Sequence, residues 1–145
     1  MKAIVDANVF VSVLLTPDPT RIPTRIVAAA LARQFELLVS EETLDEIARN
    51  VAAKPYLRGK IPPDRVAAFF GELRTRATIM PELATPIPSV TRDPKDDYLI
   101  AHAIAEDVDI LVSGDRDLLA LDGAYAFRIL APAAFISVLD EETST

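Results

Sequence analysis

The chain has 145 residues, half of them hydrophobic, with no Cys, no Trp and a single His. That length supports one ordinary core, and the composition excludes a mainly disordered chain, a disulfide framework, a thiolate zinc site, a cysteine nucleophile and a poly-His metal site. Fifteen Lys and Arg face 22 Asp and Glu, a net charge of −7. The surface as a whole therefore repels nucleic acid, and any such partner must be met by local Arg clusters, a basic protein or bound metal.

The first predicted element is a strand over residues 2–5 that ends at Asp6. The apolar stretch 9–15 reads as the start of a helix, and the Pro-rich segment 16–23 as a loop. Residues 24–33 form a helix, with Ile26, Val27, Ala30 and Leu31 on one side. A strand follows over 35–39, and Ser40 caps a helix over 42–53 that stops at Pro55. The segment 54–63 reads as a loop. Pro62-Pro63-Asp64 opens a helix to Arg76, whose stripe Val66, Phe69, Phe70, Leu73 has core spacing.

A short strand is expected at 78–80 and a loop with three prolines at 81–89. Asp93-Pro94 pairs a cap residue with Pro at the first helical position, and the helix it opens runs to Glu106. The DILVS run over 109–113 is the clearest buried strand. A turn at Gly114, a short helix over 115–121, a strand over 127–130 and a helix over 132–139 complete one domain over 1–140. Residues 141–145 are expected to fray. No apolar run reaches the roughly 18 residues of a membrane helix. Asp6 and Asn8 interrupt the N-terminal apolar stretch, a poor signal peptide, so the expectation is a cytoplasmic protein without membrane contact.

Alternating β and α elements argue for an α/β sandwich around a mostly parallel sheet, with ligands at the carboxyl edge. That rule selects Asp6, directly after the first strand, and Asp115, just past the 109–113 strand. Glu46 points away from the apolar side of its helix (Leu44, Ile47, Ala48, Val51), toward solvent or a cleft. Asp96 and Asp97 lie in the first turn of their helix, where the dipole favours carboxylates. Asp96 is in line with Leu99, Ile100 and Ala103, and Asp97 sits on the flank. A carboxylate on a core-facing stripe requires a partner, and no Lys or Arg follows on that helix before Glu106.

Carboxylates gathered on one rim repel, and a divalent cation removes the conflict. Oxygen-only donors favour Mg²⁺ or Mn²⁺ over Zn²⁺. Such ions suit in-line attack of activated water on a phosphodiester, without a covalent intermediate.

These residues resemble the PIN-domain family over nearly the whole chain, in particular the toxin components of toxin–antitoxin modules. IVDANVFVSVLL is similar to the family's first strand, which implies Asp6 as the first metal ligand with Asn8 in support. SEETLDEIARNV is similar to the second segment, whose helix acid falls on Glu46. DPKDDYLIAHAIAEDVDILVSGDRDLLAL carries the third acid, then the fourth, Asp115, with Ser113 beside it. The toxin-type pattern places the third acid on Asp97, which is the expectation adopted, with Asp96, the position in a related subgroup pattern, as its alternative; the same subgroup adds Asp117. The resemblance implies a five-stranded parallel sheet in order 3-2-1-4-5 with helices on both faces. It also implies a Mg²⁺- or Mn²⁺-dependent endoribonuclease, a homodimer and an antitoxin partner. Two alternatives stand beside it: a PIN-fold module that binds RNA or a partner with little nuclease activity, and a phosphatase of the haloacid-dehalogenase type. Arg21, Arg25, Arg33 and Arg74, Arg76, Arg92 are candidates for phosphate contact or plain solvated charge. His102 reads as structural, and Tyr98 as a side chain that packs or stacks on a base.

Overall fold

A computed structural model describes residues 1–84 and 87–143. In chain order the elements are β1 (Lys2–Val5), α1 (Ala7–Leu15), α2 (Ile22–Leu31), β2 (Glu36–Val39), α3 (Glu41–Ala53), α4 (Pro55–Lys60), α5 (Pro63–Arg76), β3 (Thr78–Ile79), α6 (Pro94–Ala105), β4 (Ile110–Val112), α7 (Arg116–Leu119), β5 (Arg128–Leu130) and α8 (Pro132–Thr143). The strands form one sheet in order β3-β2-β1-β4-β5, and every pairing is parallel. This is the order the family resemblance implied.

Both faces of the sheet are covered, which is why β1, β2 and β4 read as continuous apolar runs rather than alternating ones. Ala3, Val5, Leu37, Val39, Ile110 and Val112 pack into a core with α1, α2, α3, α5 and α8. Ile4, Leu38, Leu111 and Ile129 face the other way, against Leu99, Ile100 and Ala103 of α6 and Leu118 of α7.

Three expectations are corrected. Residues 54–63 are not a plain loop, because Pro55 sits in the first turn of α4, where its missing N–H costs nothing. Leu57 and Ile61 then bury into the main core. The tail expected to fray from 141 is helical as far as Thr143, where α8 ends. Ala48 is exposed and does not share the buried side of α3 with Leu44, Ile47 and Val51. The expected loop at 81–89 falls partly outside the described residues, at 85 and 86, as do the last two tail residues.

Polar caps mark the carboxyl edge of the sheet. Asp6 accepts from the Asn8 N–H at the start of α1, Ser40 from the Thr43 N–H at the start of α3, and Asp115 from the Asp117 N–H at the start of α7. Parallel crossovers place each of these helix N-termini just beyond a strand's carboxyl end. Their unpaired N–H groups and positive dipole ends make that edge hospitable to carboxylates.

Candidate active site

Asp6 is only 6% exposed, and both its oxygens are held. The Asn8 N–H donates to Oδ1 at 3.3 Å and the Ser113 hydroxyl to Oδ2 at 2.8 Å. Asn8 thus supports the first acid through its backbone, while its side chain is exposed. Ser113 Oγ in turn accepts from the Asp115 N–H at 3.0 Å. One fully buried hydroxyl therefore ties the end of β1 to the turn after β4, and β1 and β4 are paired neighbours with Val5 opposite Val112. Asp117 is exposed, and its N–H caps back to Asp115 Oδ1 at 2.8 Å.

The two candidates for the third acid part company. Asp96 is 6% exposed and turns toward Asp115 and Asp6. Burial pushes its pKa up to about 7, assisted by the charges of Asp115, Asp6 and Asp93 and a hydrogen bond shared with Asp115. Asp97, one residue on, anchors the preceding loop. Its Oδ1 accepts from the N–H groups of Val90 (3.1 Å) and Thr91 (2.8 Å) and lies 2.8 Å from the Thr91 hydroxyl. Burial opposes its charge, but these donors prevail and hold its pKa below the usual range. At 100° per residue, adjacent helix positions face different surroundings. Here one faces the acids and the other the loop.

Glu46 is reached through a cation. Lys95 Nζ lies 3.0 Å from Glu46 Oε1, whose side chain is 12% exposed, and 3.8 Å from Asp93 Oδ2. The Glu46 hydrogen bond and charge, then Asp93 and Asp6, raise the Lys95 pKa against the opposing effect of burial. Sequence reasoning looked for a cation C-terminal to Asp96 and Asp97 and missed Lys95, which immediately precedes them. A lysine at a helix N-terminus, where the dipole disfavours it, was the available signal. Thr91, which holds Asp97, was also missed.

His102 is buried, and its Nε2 lies 3.4 Å from Glu42 Oε2 without hydrogen-bond geometry. Glu42, Glu46, Arg49, Lys95 and Tyr98 line a groove of about 330 Å³ between α3 and α6. Tyr98 is 37% exposed there. Arg25, Arg74 and Arg76 are half-exposed and paired with Asp140, Glu41 and Glu72.

Among the described residues, no three acidic or His side chains stand close enough as placed to grip one ion. The donor chemistry nonetheless suits a hard divalent cation. Asp6, Asp96, Asp115 and Glu46 offer only carboxylate oxygen. Burial, and after it the charges of Asp115, Asp6 and Asp93, drive Asp96 toward protonation near neutral pH, and a cation among these acids offsets both.

A parallel sheet with acids from three distant chain segments at its carboxyl edge defines an α/β domain of the kind that places its site at that edge. The chain belongs to the PIN-domain family, whose model, described as "PIN domain", matches residues 2–117. PIN domains are in general nucleases and typically use divalent metal ions. This membership stands against the haloacid-dehalogenase alternative. The fold is similar to that of a chain in the crystal structure of VapBC2 from Rickettsia felis bound to a DNA fragment from their promoter. The TM-score is 0.60 at 13% identity, over 90% of this chain and 98% of that one. No curated protein matches this chain in sequence. None of the helices among the described residues is long and apolar enough to cross a membrane.

Proposed function

We propose that this protein is a divalent-metal-dependent endoribonuclease, the toxin of a toxin–antitoxin module, with Mg²⁺ or Mn²⁺ as the working ion. The observation that carries the reading is buried Asp96, which shares a hydrogen bond with Asp115 and feels the charge of Asp6 at the sheet's carboxyl edge. In this reading Asp6, Asp96 and Asp115 hold the ion, which when bound lowers the pKa of an attacking water and stabilises charge on the phosphate. Ser113 and the Asn8 N–H fix the orientation of the Asp6 carboxylate. Glu46 supplies a further carboxylate on the groove side. Asp97 keeps the 90–93 turn in place so that Asp96 faces the acids. The cation offsets the net charge of −7 where an RNA phosphate must approach. Similarity of fold to a chain of VapBC2 supports an antitoxin partner. A homodimer and a cytoplasmic site of action complete the reading.

The test is cleavage of structured RNAs by purified protein in Mn²⁺. Cleavage that EDTA and Asp6→Asn both abolish supports the reading, whereas equal cleavage by wild type and Asp6→Asn overturns it. Ser113→Ala is expected to weaken Mn²⁺ binding by roughly 10–100-fold, since a support that orients a ligand is worth about that much. Calorimetric titration measures the effect.

A further inference from the structure

We infer that Lys95 is a tethered counter-ion of the acidic cleft, competing with the divalent cation for Glu46 and so setting how tightly that cation is held. The inference rests on the metal reading above and deepens it. Three observations carry it. The Lys95 ammonium sits 3.0 Å from Glu46 Oε1, the partner with the more enclosed side chain. Lys95 stands in the first turn of α6, immediately after Pro94, where the helix dipole repels a cation, so the acids across the groove must be what holds it. Asp93, the cap of that same helix, lies 3.8 Å from the ammonium and steadies it from the other side. Asp6 also contributes to the field on Lys95, so the ammonium feels both ends of the proposed metal site.

The consequence follows from charge alone. With no divalent ion bound, Lys95 partly neutralises a rim on which carboxylates repel. An incoming dication meets a positive charge already paired with Glu46, and must either displace it or bind beside it against repulsion. In both cases part of the attraction offered by the acids is already used. Because half of the Lys95 side chain is exposed, the ammonium can swing out into solvent when displaced. It is then free to meet a substrate phosphate at the mouth of the groove.

The experiment is calorimetric titration of the full chain with MnCl₂ at fixed ionic strength, comparing wild type, Lys95→Met, Lys95→Gln and Lys95→Arg. Circular dichroism checks that each variant is folded. Lys95→Met and Lys95→Gln are expected to bind Mn²⁺ about fivefold tighter or more, and Lys95→Arg within about twofold of wild type. In EDTA the Lys95→Met protein should melt below wild type, with the deficit closing when Mn²⁺ is added. In a Glu46→Gln background the gain from Lys95→Met should shrink, because the group competed for has lost its charge. Equal or weaker Mn²⁺ binding by both folded neutral variants, while Asp6→Asn abolishes binding, overturns the role of Lys95 and leaves the metal reading standing. Failure of the wild type to bind Mn²⁺ overturns both.

Discussion

Asp96→Asn is expected to lower Mn²⁺-dependent RNA cleavage by at least roughly a hundredfold, about 2.7 kcal/mol of transition-state stabilisation. Asp97→Asn is expected to spare most of the activity of the molecules that remain folded. The two substitutions change the same atoms at adjacent positions, so the contrast isolates where each carboxylate points. Asp96 faces Asp115 and Asp6, and its amide would offer a metal one neutral oxygen in place of a charged one. Asp97 spends Oδ1 on the Val90 and Thr91 N–H groups. Its amide keeps an oxygen for those donors, and Asp97→Ala removes it. The alanine variant should therefore melt a few degrees lower, with two part-buried N–H groups losing their acceptor. Thermal melts separate the two effects from initial cleavage rates at matched folded fraction. A hundredfold loss in Asp97→Asn with an unchanged melting temperature would return the third-acid role to Asp97.

The metal-free protein is expected to become more stable on acidification from about pH 8 to about pH 5.5, the opposite of an ordinary salt-bridged carboxylate. Burial and neighbouring acids raise Asp96 to about 7 from the ordinary aspartate value of 3.8. Between those values the native state keeps a proton that the unfolded chain has released, so stability falls as pH rises. The full penalty is present above the native value and is relieved progressively as the pH falls from there toward the unfolded value. Down to about pH 5.5 that recovers about 1.5 units, or about 2 kcal/mol at 1.36 kcal/mol per unit, and at a few degrees per kcal/mol the expected rise in Tm is roughly 4–8 °C. Acids shifted the other way do not confuse this window. Asp122, held at about 2 by the Arg128 guanidinium and the Ile129 N–H, loses its contribution only at lower pH. Scanning calorimetry in EDTA across the range measures the effect. Asp96→Asn should flatten the profile, and saturating Mn²⁺ should raise Tm most at the alkaline end. A flat profile in wild type would show that Asp96 is not under the strain its surroundings impose here.

Most of the architecture could be read along the chain because its signals are local. Apolar runs too short for helices gave β1, β2 and β4. Ser40 and Asp93 announced helix starts through side-chain oxygens that satisfy N–H groups two or three residues on. The alternation of these elements, with the handedness of parallel crossovers, places Asp6 and Asp115 at one edge of the sheet. The segment α4 escaped because proline in a first helical turn and proline in a loop look alike in one sequence.

The division of labour between Asp96 and Asp97 could not be read in the same way. Each satisfies the same local preference of a helix N-terminus for negative charge, so propensity and periodicity treat them almost equally. What separates them is non-local: Asp115 from beyond β4 meets one, and the 90–91 backbone returns to meet the other. The pairing of Lys95 with Glu46, 49 positions away on another helix, is of the same kind. Short-range chemistry repeated along the chain pointed to the α/β class, the sheet edge and the candidate acids, and the family resemblance supplied the strand order. Which acid meets which, and which cation stands among them, depends on helix phase and on contacts between distant segments, and exists only in the folded molecule.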